Sequence, residues 1–328
     1  MKITKLLFSI FAIFALLLVA ACGNTNQATN DKKENKHKEE TSYSVTHAMG
    51  TATLEKTPKR IVVLTNEGTE ALLSMGVKPV GAVQSWLGDP WYDHIKNDMK
   101  GVEVVGVEHE VNLEKIASLK PDLIIGSKIR QEAVYDKLSA IAPTVLSETL
   151  RGDWKENFKL YAKAINREEE GNKVLSKFDQ HVEEVKQKLG DQVNKEVSVV
   201  RFMAGTTRIY YTDSFSGVIF DQLGFKRAAQ QEALFTDSNK LGKLAIEVGK
   251  EVIPKMDGDL LFYFTYAPEE DQKALSTEKE WTSDPLWKNL NAVKNGHAYS
   301  VNDATWNTAG GVLSANIMLD DIEKLLVK

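Results

Sequence analysis

Arginine side chains recur just beyond short apolar runs of this chain, in company with aromatic and amide residues. Asn66 and Glu67 follow the run at 61–64, Ser85 and Trp86 follow 79–83, and Lys128 and Arg130 follow 122–126. Arg201, Arg208, Tyr210 and Tyr211 surround the run at 197–202 and its return, and Tyr263, Tyr266, Trp306 and Asn307 follow later runs. A guanidinium stays charged and presents a planar fork of donors that matches paired oxygens. Three of them with aromatic neighbours suit capture of an oxygen-rich anion. Each residue also has a purely structural reading. Arg130 could pair with Glu132 or Glu67, and Arg201 could face either side of its strand, because side chains alternate there. Trp86 and Trp306 could wall a cleft or fill a core. Trp91, Trp154, Trp281 and Trp287 read as packing.

Reactive groups are missing from the sequence patterns. No Gly-x-Ser-x-Gly turn occurs, and Ser214-Phe215-Ser216-Gly217 lacks the leading glycine of a nucleophile elbow. Gly242-Lys243 and Gly249-Lys250-Glu251 lack the spacing and the hydroxyl residue of a phosphate loop. His94 and His109 stand alone, and no His, Asp or Glu cluster has metal-ligand spacing. The single cysteine, Cys22, excludes an intramolecular disulfide, a zinc ribbon and an iron–sulfur site. The pattern is that of a binding protein rather than an enzyme, with no metal held by protein ligands.

For those loops to converge, the apolar runs must be strands of open α/β sheets, where ligands bind beyond the carboxyl ends. Runs at 61–64, 79–83, 122–126 and 143–146 read as buried parallel strands, and the rhythm returns at 197–202, 259–264 and 298–301. Between the two sets, residues 168–189 carry Val174, Phe178, His181, Val182, Val185 and Leu189 at helical spacing. Such a helix spans about 33 Å, enough to cross from one lobe to another. Gly190 stands at its expected C-cap. An internal repeat supports two lobes: Glu114 to Asp122 and on to Leu123 matches Glu251 to Asp259 and Leu260, and the stretch ending at Gly76 matches that ending at Gly224.

The chain has 328 residues, 42% hydrophobic, with 46 acidic and 41 basic side chains and a net charge of −5. That composition supports a folded core and roughly two domains, and offers no positive field for nucleic acid. Lys2 and Lys5 precede an apolar run ending Ala20-Ala21-Cys22. This resembles a bacterial lipoprotein signal, cleaved after residue 21, with Cys22 carrying the lipid; the alternative is a plain secretory signal with a chance cysteine. Residues 23–41 are almost wholly polar and read as a flexible tether. The expected organisation is signal 1–21, lipidated cysteine and tether 22–43, N-terminal α/β lobe 44–167, connecting helix 168–190 and C-terminal α/β lobe 191–328.

Lys59-Arg60-Ile61-Val62, Met75-Gly76-Val77-Lys78-Pro79-Val80-Gly81, Asn112-Leu113-Glu114-Lys115-Ile116 and 119–124 together resemble the helical-backbone class of substrate-binding proteins, over the whole body from about Ser44. That family serves ABC importers of ferric siderophores, haem and cobalamin. Ser127-Lys128-Ile129-Arg130, Thr207-Arg208-Ile209-Tyr210, Glu280-Trp281-Thr282 and 305–311 are most similar to its receptors for citrate-based, carboxylate or hydroxamate–carboxylate siderophores. The resemblance implies a class III fold, two Rossmann-like α/β lobes joined by a single long helix. It implies that a ferric siderophore binds at Arg130, Arg201, Arg208, Trp86, Tyr210, Tyr211, Trp306 and Asn307. Ferric iron would travel as the siderophore complex, with no cofactor bound permanently. It further implies that Glu114 and Glu251, one on each lobe, pair with arginines of an ABC permease; at helix starts they are also favoured by the dipole. A lipid-anchored monomer on the extracellular face of the cell membrane is expected, with no nucleic acid partner. A catecholate siderophore, haem or cobalamin in the same role, a surface adhesin and an extracellular enzyme are the alternatives.

Overall fold

Two β-sheets form from the two sets of apolar runs, in a computed structural model that describes residues 42–327. The signal segment, Cys22 and the tether up to residue 41 lie outside the described residues. A hairpin of β1 (Tyr43–His47) and β2 (Gly50–Leu54) comes first. The first lobe follows with β3 (Ile61–Val63), β4 (Gly81–Ala82) and β5 (Glu103–Val104). A small hairpin of β6 (Gly106–Val107) and β7 (Glu110–Val111) then carries Glu108 and His109 in its turn. With β8 (Leu123–Ser127) and β9 (Thr144–Ser147) the sheet has the order β5–β4–β3–β8–β9, parallel throughout. Helices cover both faces of such a sheet, so β3, β8 and β9 are buried at every position and read as unbroken apolar runs.

The second sheet comprises β10 (Glu196–Met203), β11 (Thr206–Tyr210), β12 (Lys226–Arg227), β13 (Ala245–Val248), β14 (Leu260–Thr265) and β15 (Ala298–Ser300). Its order is β13–β11–β10–β14–β15, with β12 beside β10. Here the expected parallel arrangement holds for β10, β14 and β15, while β11 alone is reversed, pairing antiparallel with β10 on one side and β13 on the other. Only Ala204 and Gly205, the latter at φ +73°, separate β10 from β11, too few residues for a crossover.

Four helices fix the lobes. α1 (Asn66–Ser74) leaves β3, capped by Thr65, whose Oγ1 accepts from Gly68 N at 3.0 Å. Among the described residues, α2 (Glu168–Leu189) carries the chain from the first sheet to the second, with Glu168, Glu169 and Glu170 in its first turn and Lys186 and Lys188 in its last, matching the helix dipole. Gly190 follows it at φ +52°. α3 (Phe215–Leu223) packs under the second sheet, and α4 (Val312–Leu326) returns along α2 and α1. There the buried Glu70 carboxylate accepts from Ser314 N at 2.9 Å and Oγ at 3.0 Å, tying the C-terminal helix to the first lobe.

The repeat is structural. Asp122 Oδ2 accepts from Lys59 N and Arg60 N, and Asp259 Oδ2 accepts from Glu196 N, each across 63 residues from Lys59 and Glu196, so equivalent carboxylates anchor the starts of β3 and β10. One apolar core runs through both lobes, from Val63 and Ile125 across Phe178 and Val182 of α2 to Val199, Phe262 and Leu319. Trp154 joins the halves, edge-on to Phe178 at 5.0 Å and to Phe215 at 6.4 Å. A shared core leaves little freedom for hinging. The scattering-derived radius of gyration should therefore change by no more than about 1 Å on ligand binding; a large domain rotation would contradict this.

Candidate functional site

The carboxyl ends of both sheets face a cleft of about 190 Å³. On the first lobe Glu67 opens α1 beyond β3, Trp86 follows β4, and Glu108 comes from the β6–β7 turn. Arg130 lies in the short helix Lys128–Gln131 after β8, and Leu150 and Arg151 follow β9. The second lobe contributes Arg201 and Met203 from the end of β10, Tyr266 beyond β14, and 307–310 beyond β15. Loops after seven strands thus supply the wall.

Each side chain is held from behind. Gln131, fully buried, accepts from Ser127 N at 2.8 Å through Oε1 and donates to Glu108 O at 2.7 Å, fixing the helix that carries Arg130. The Arg130 guanidinium stands 5.8 Å from the Trp86 ring, against which His109 stacks at 5.6 Å. Its Nε is 3.6 Å from Glu108 Oε2 and has no hydrogen bond. Glu108 Oε1 is already engaged by Asn66 N at 2.8 Å and Nδ2 at 2.9 Å. Arg151 adopts φ +75° and donates its backbone N–H to Glu67 Oε2 at 3.2 Å.

Arg201 is clamped most firmly. Asp303 receives Nε at 2.6 Å and Nη2 at 3.1 Å, Tyr210 Oη receives Nη1 at 3.1 Å, and the Tyr266 ring lies 4.8 Å away. A guanidinium has five N–H donors, so two remain for a ligand. Burial opposes the Arg201 charge, but Asp303 and Tyr210 outweigh it and raise its pKa. Arg151 goes the other way: burial, with repulsion from Arg130 and Arg201, lowers it despite Tyr210 and Glu108. All three guanidinium-bearing residues line the same cleft. Glu67 is pushed up to about 8, chiefly by burial and also by the Glu108 and Glu70 carboxylates, against the nearby Asn157 amide and the hydrogen bond from the Arg151 backbone. Its Oε1 and Asn307 Oδ1 are buried without partners.

Of the residues singled out in the sequence, Trp86, Arg130, Arg201 and Asn307 share the cleft wall. Tyr210 stands behind it, holding Arg201. Arg208 faces Arg201 directly across β10–β11, yet Glu247, opposite it on β13, takes its guanidinium at 2.6 Å and keeps it out of the wall. Tyr211 stacks on Phe235 at 4.3 Å and packs beneath Arg227, away from the cleft. Trp306 requires a correction: it is fully buried between Phe220 and Phe262, its indole donating to Asp321 Oδ2 at 2.9 Å, so it belongs to the core. Arg151 was missed, although it follows β9 as Arg130 follows β8. Among the described residues, no group of three or more His, Cys, Asp or Glu side chains could hold a metal ion. His94 instead pairs with Glu70 at 2.6 Å.

The arrangement suits a multidentate anion whose oxygens meet guanidinium groups and whose apolar parts lie against Trp86, Tyr266 and Met203. Comparisons with known proteins agree with a binding role. Residues 61–305 match the family described as periplasmic binding protein. The chain is 54% identical over 317 residues to Bacillus subtilis YfiY, named as a probable siderophore-binding lipoprotein, covering 96% of each chain. It is 31% identical to the Fe(3+)-citrate-binding protein YfmC of the same organism, over 95% of this chain and 94% of that one. The crystal structure of Staphylococcus aureus SirA complexed with staphyloferrin B superposes with a TM-score of 0.79 at 41% identity, covering 87% of this chain and 98% of that one.

Proposed function

This chain belongs to the periplasmic binding protein family, and we propose that it captures a ferric siderophore of the citrate-based, carboxylate or hydroxamate–carboxylate type and delivers it to an ABC importer for iron uptake. The observation that carries this reading is the convergence of Arg130, Arg151 and Arg201 beside Trp86 and Tyr266. A ferric complex of this type is anionic and already fills the iron shell with its own oxygens. It needs from a protein only donors for its outer oxygens and flat surfaces for its body. The names of YfmC and the SirA complex support the same ligand class, and that of YfiY supports a siderophore without saying which.

The ligand class is tested by thermal denaturation with ferric staphyloferrin B, ferric citrate, a ferric citrate–hydroxamate siderophore, a ferric tris-catecholate and haem. The anionic carboxylate-bearing complexes should raise the midpoint, since anything bound only to the folded state stabilises it. Preference for the catecholate or haem would keep the transport role and overturn the ligand chemistry. No shift with any of them would favour an adhesin.

Lipidation of Cys22 would hold the protein on the extracellular face of the membrane, as the lipoprotein name of YfiY suggests. Delivery would use Glu114 and Glu251, which are exposed and occupy the first turns of equivalent short helices. Neither joins an ion pair among the described residues, leaving both free for permease cations. Glu114→Lys with Glu251→Lys should leave ligand affinity unchanged and cut cellular uptake of radiolabelled ferric siderophore at least tenfold, as like charges now oppose at the interface. Undiminished uptake would remove the docking role.

A further inference from the structure

We infer that Glu67 keeps its proton while ligand is bound and donates it through Oε1 to an anionic oxygen of the ferric complex, making capture dependent on pH. The inference rests on the ligand class proposed above and adds a residue that reads the ligand's charge.

Glu67 lines the cleft, is 5% exposed, and leaves Oε1 shielded from water with no partner. A buried polar atom without a partner costs free energy, and a ligand oxygen arriving there would relieve it. As a carboxylate, Oε1 would repel that oxygen; as the acid, it offers a charge-assisted O–H donor. The surroundings favour the acid. Its own helix contributes Glu70, engaged by His94 and Ser314, and the β6–β7 turn contributes Glu108. The helix Trp154–Ala164 presents Tyr161 and, acting the other way, the Asn157 amide, which donates to Thr149 O at 2.9 Å and leaves Oε1 without a partner. The positive groups do not reach Oε1: Arg151 meets Glu67 through its backbone N–H at Oε2, Arg130 lies nearest Glu108, and Arg201 is paired with Asp303. An ionised Glu67 accepting a ligand N–H would give the opposite pH dependence, so the sign of the effect decides.

The test measures affinity for ferric staphyloferrin B from pH 6 to pH 9.5 in wild type and Glu67→Gln, whose amide cannot ionise. Wild-type affinity should be flat below about pH 8 and fall about tenfold per unit above it, and the ratio of wild-type to variant affinity should carry that slope, which removes the ligand's own titration. A ligand-free measurement accompanies it. A carboxyl raised from 4.5 to about 8 on folding contributes stability below pH 4.5 that is lost as pH rises through 8, so the melting midpoint of Glu67→Gln should gain on wild type between pH 5 and pH 8 and then run parallel. Parallel affinity profiles, or wild-type affinity rising with pH relative to the variant, would overturn the inference while leaving the siderophore reading intact. No binding at any pH would overturn both.

Discussion

Arg151→Ala should weaken binding of the ferric siderophore by at least about thirtyfold, the effect of losing roughly 2 kcal/mol from a desolvated charge-assisted contact. The side chain is largely withdrawn from water, lines the cleft and is destabilised by Arg130 and Arg201 until an anion arrives. Binding would relieve that repulsion, so the three arginines should depend on one another. Arg130→Ala should behave similarly, and the double variant should lose less than the sum of the two losses. Arg151→Lys should recover only part of the affinity, because an ammonium keeps the charge and loses the fork. Arg208→Ala provides the contrast: held by Glu247, it should cost less than about threefold. Equal losses for Arg151 and Arg208, measured by isothermal titration on folded variants, would displace the site toward β11 and β13.

Asp303→Ala should be the most damaging change to the fold near the site. It leaves the buried Arg201 guanidinium without its counter-charge, a loss of about 3–5 kcal/mol and roughly 10 °C in melting midpoint for a protein of this size. Replacing both partners, Arg201→Met with Asp303→Leu, should recover most of that stability, since an apolar pair avoids the desolvation of both ions. Ligand binding should remain lost in the double variant. Calorimetric melting that places the single and double variants at the same midpoint would mean the pair contributes no more than its packing.

Much of this architecture was legible in the chain. Strands buried on both faces leave largely apolar runs, which is why β3, β8 and β14 were recognisable, as was β10 despite Ser198 and Arg201 within it, and the 22 residues of α2 announce themselves through a repeating buried stripe. The β1–β2 hairpin was not legible, because its alternating Thr and Ser residues resemble a polar loop. Within the site, Arg130 could be found from its position beyond β8 and Arg201 from its place near the end of β10. Arg208 could be placed beside Arg201 only by knowing the β10–β11 register, and its capture by Glu247 depends on a strand 39 residues away. Trp306 misleads for a related reason: it lies in the π-helical turn Ala304–Thr308, where Asn307 meets the cleft and its neighbour turns into the core. Glu67 is legible as a residue beyond the first strand and a partner for Arg130, but its enclosure by Glu70 and Glu108 depends on contacts that only the fold supplies.

The most direct test of anion capture between the lobes is titration of intrinsic tryptophan fluorescence with ferric staphyloferrin B in wild type, Trp86→Phe and Arg151→Ala. The expected result is tight, saturable quenching in wild type, most of its amplitude lost in Trp86→Phe with affinity retained within a few-fold, and affinity lost in Arg151→Ala. Saturable quenching that survives unchanged in both variants would place the ligand outside this cleft and contradict the site proposed for it.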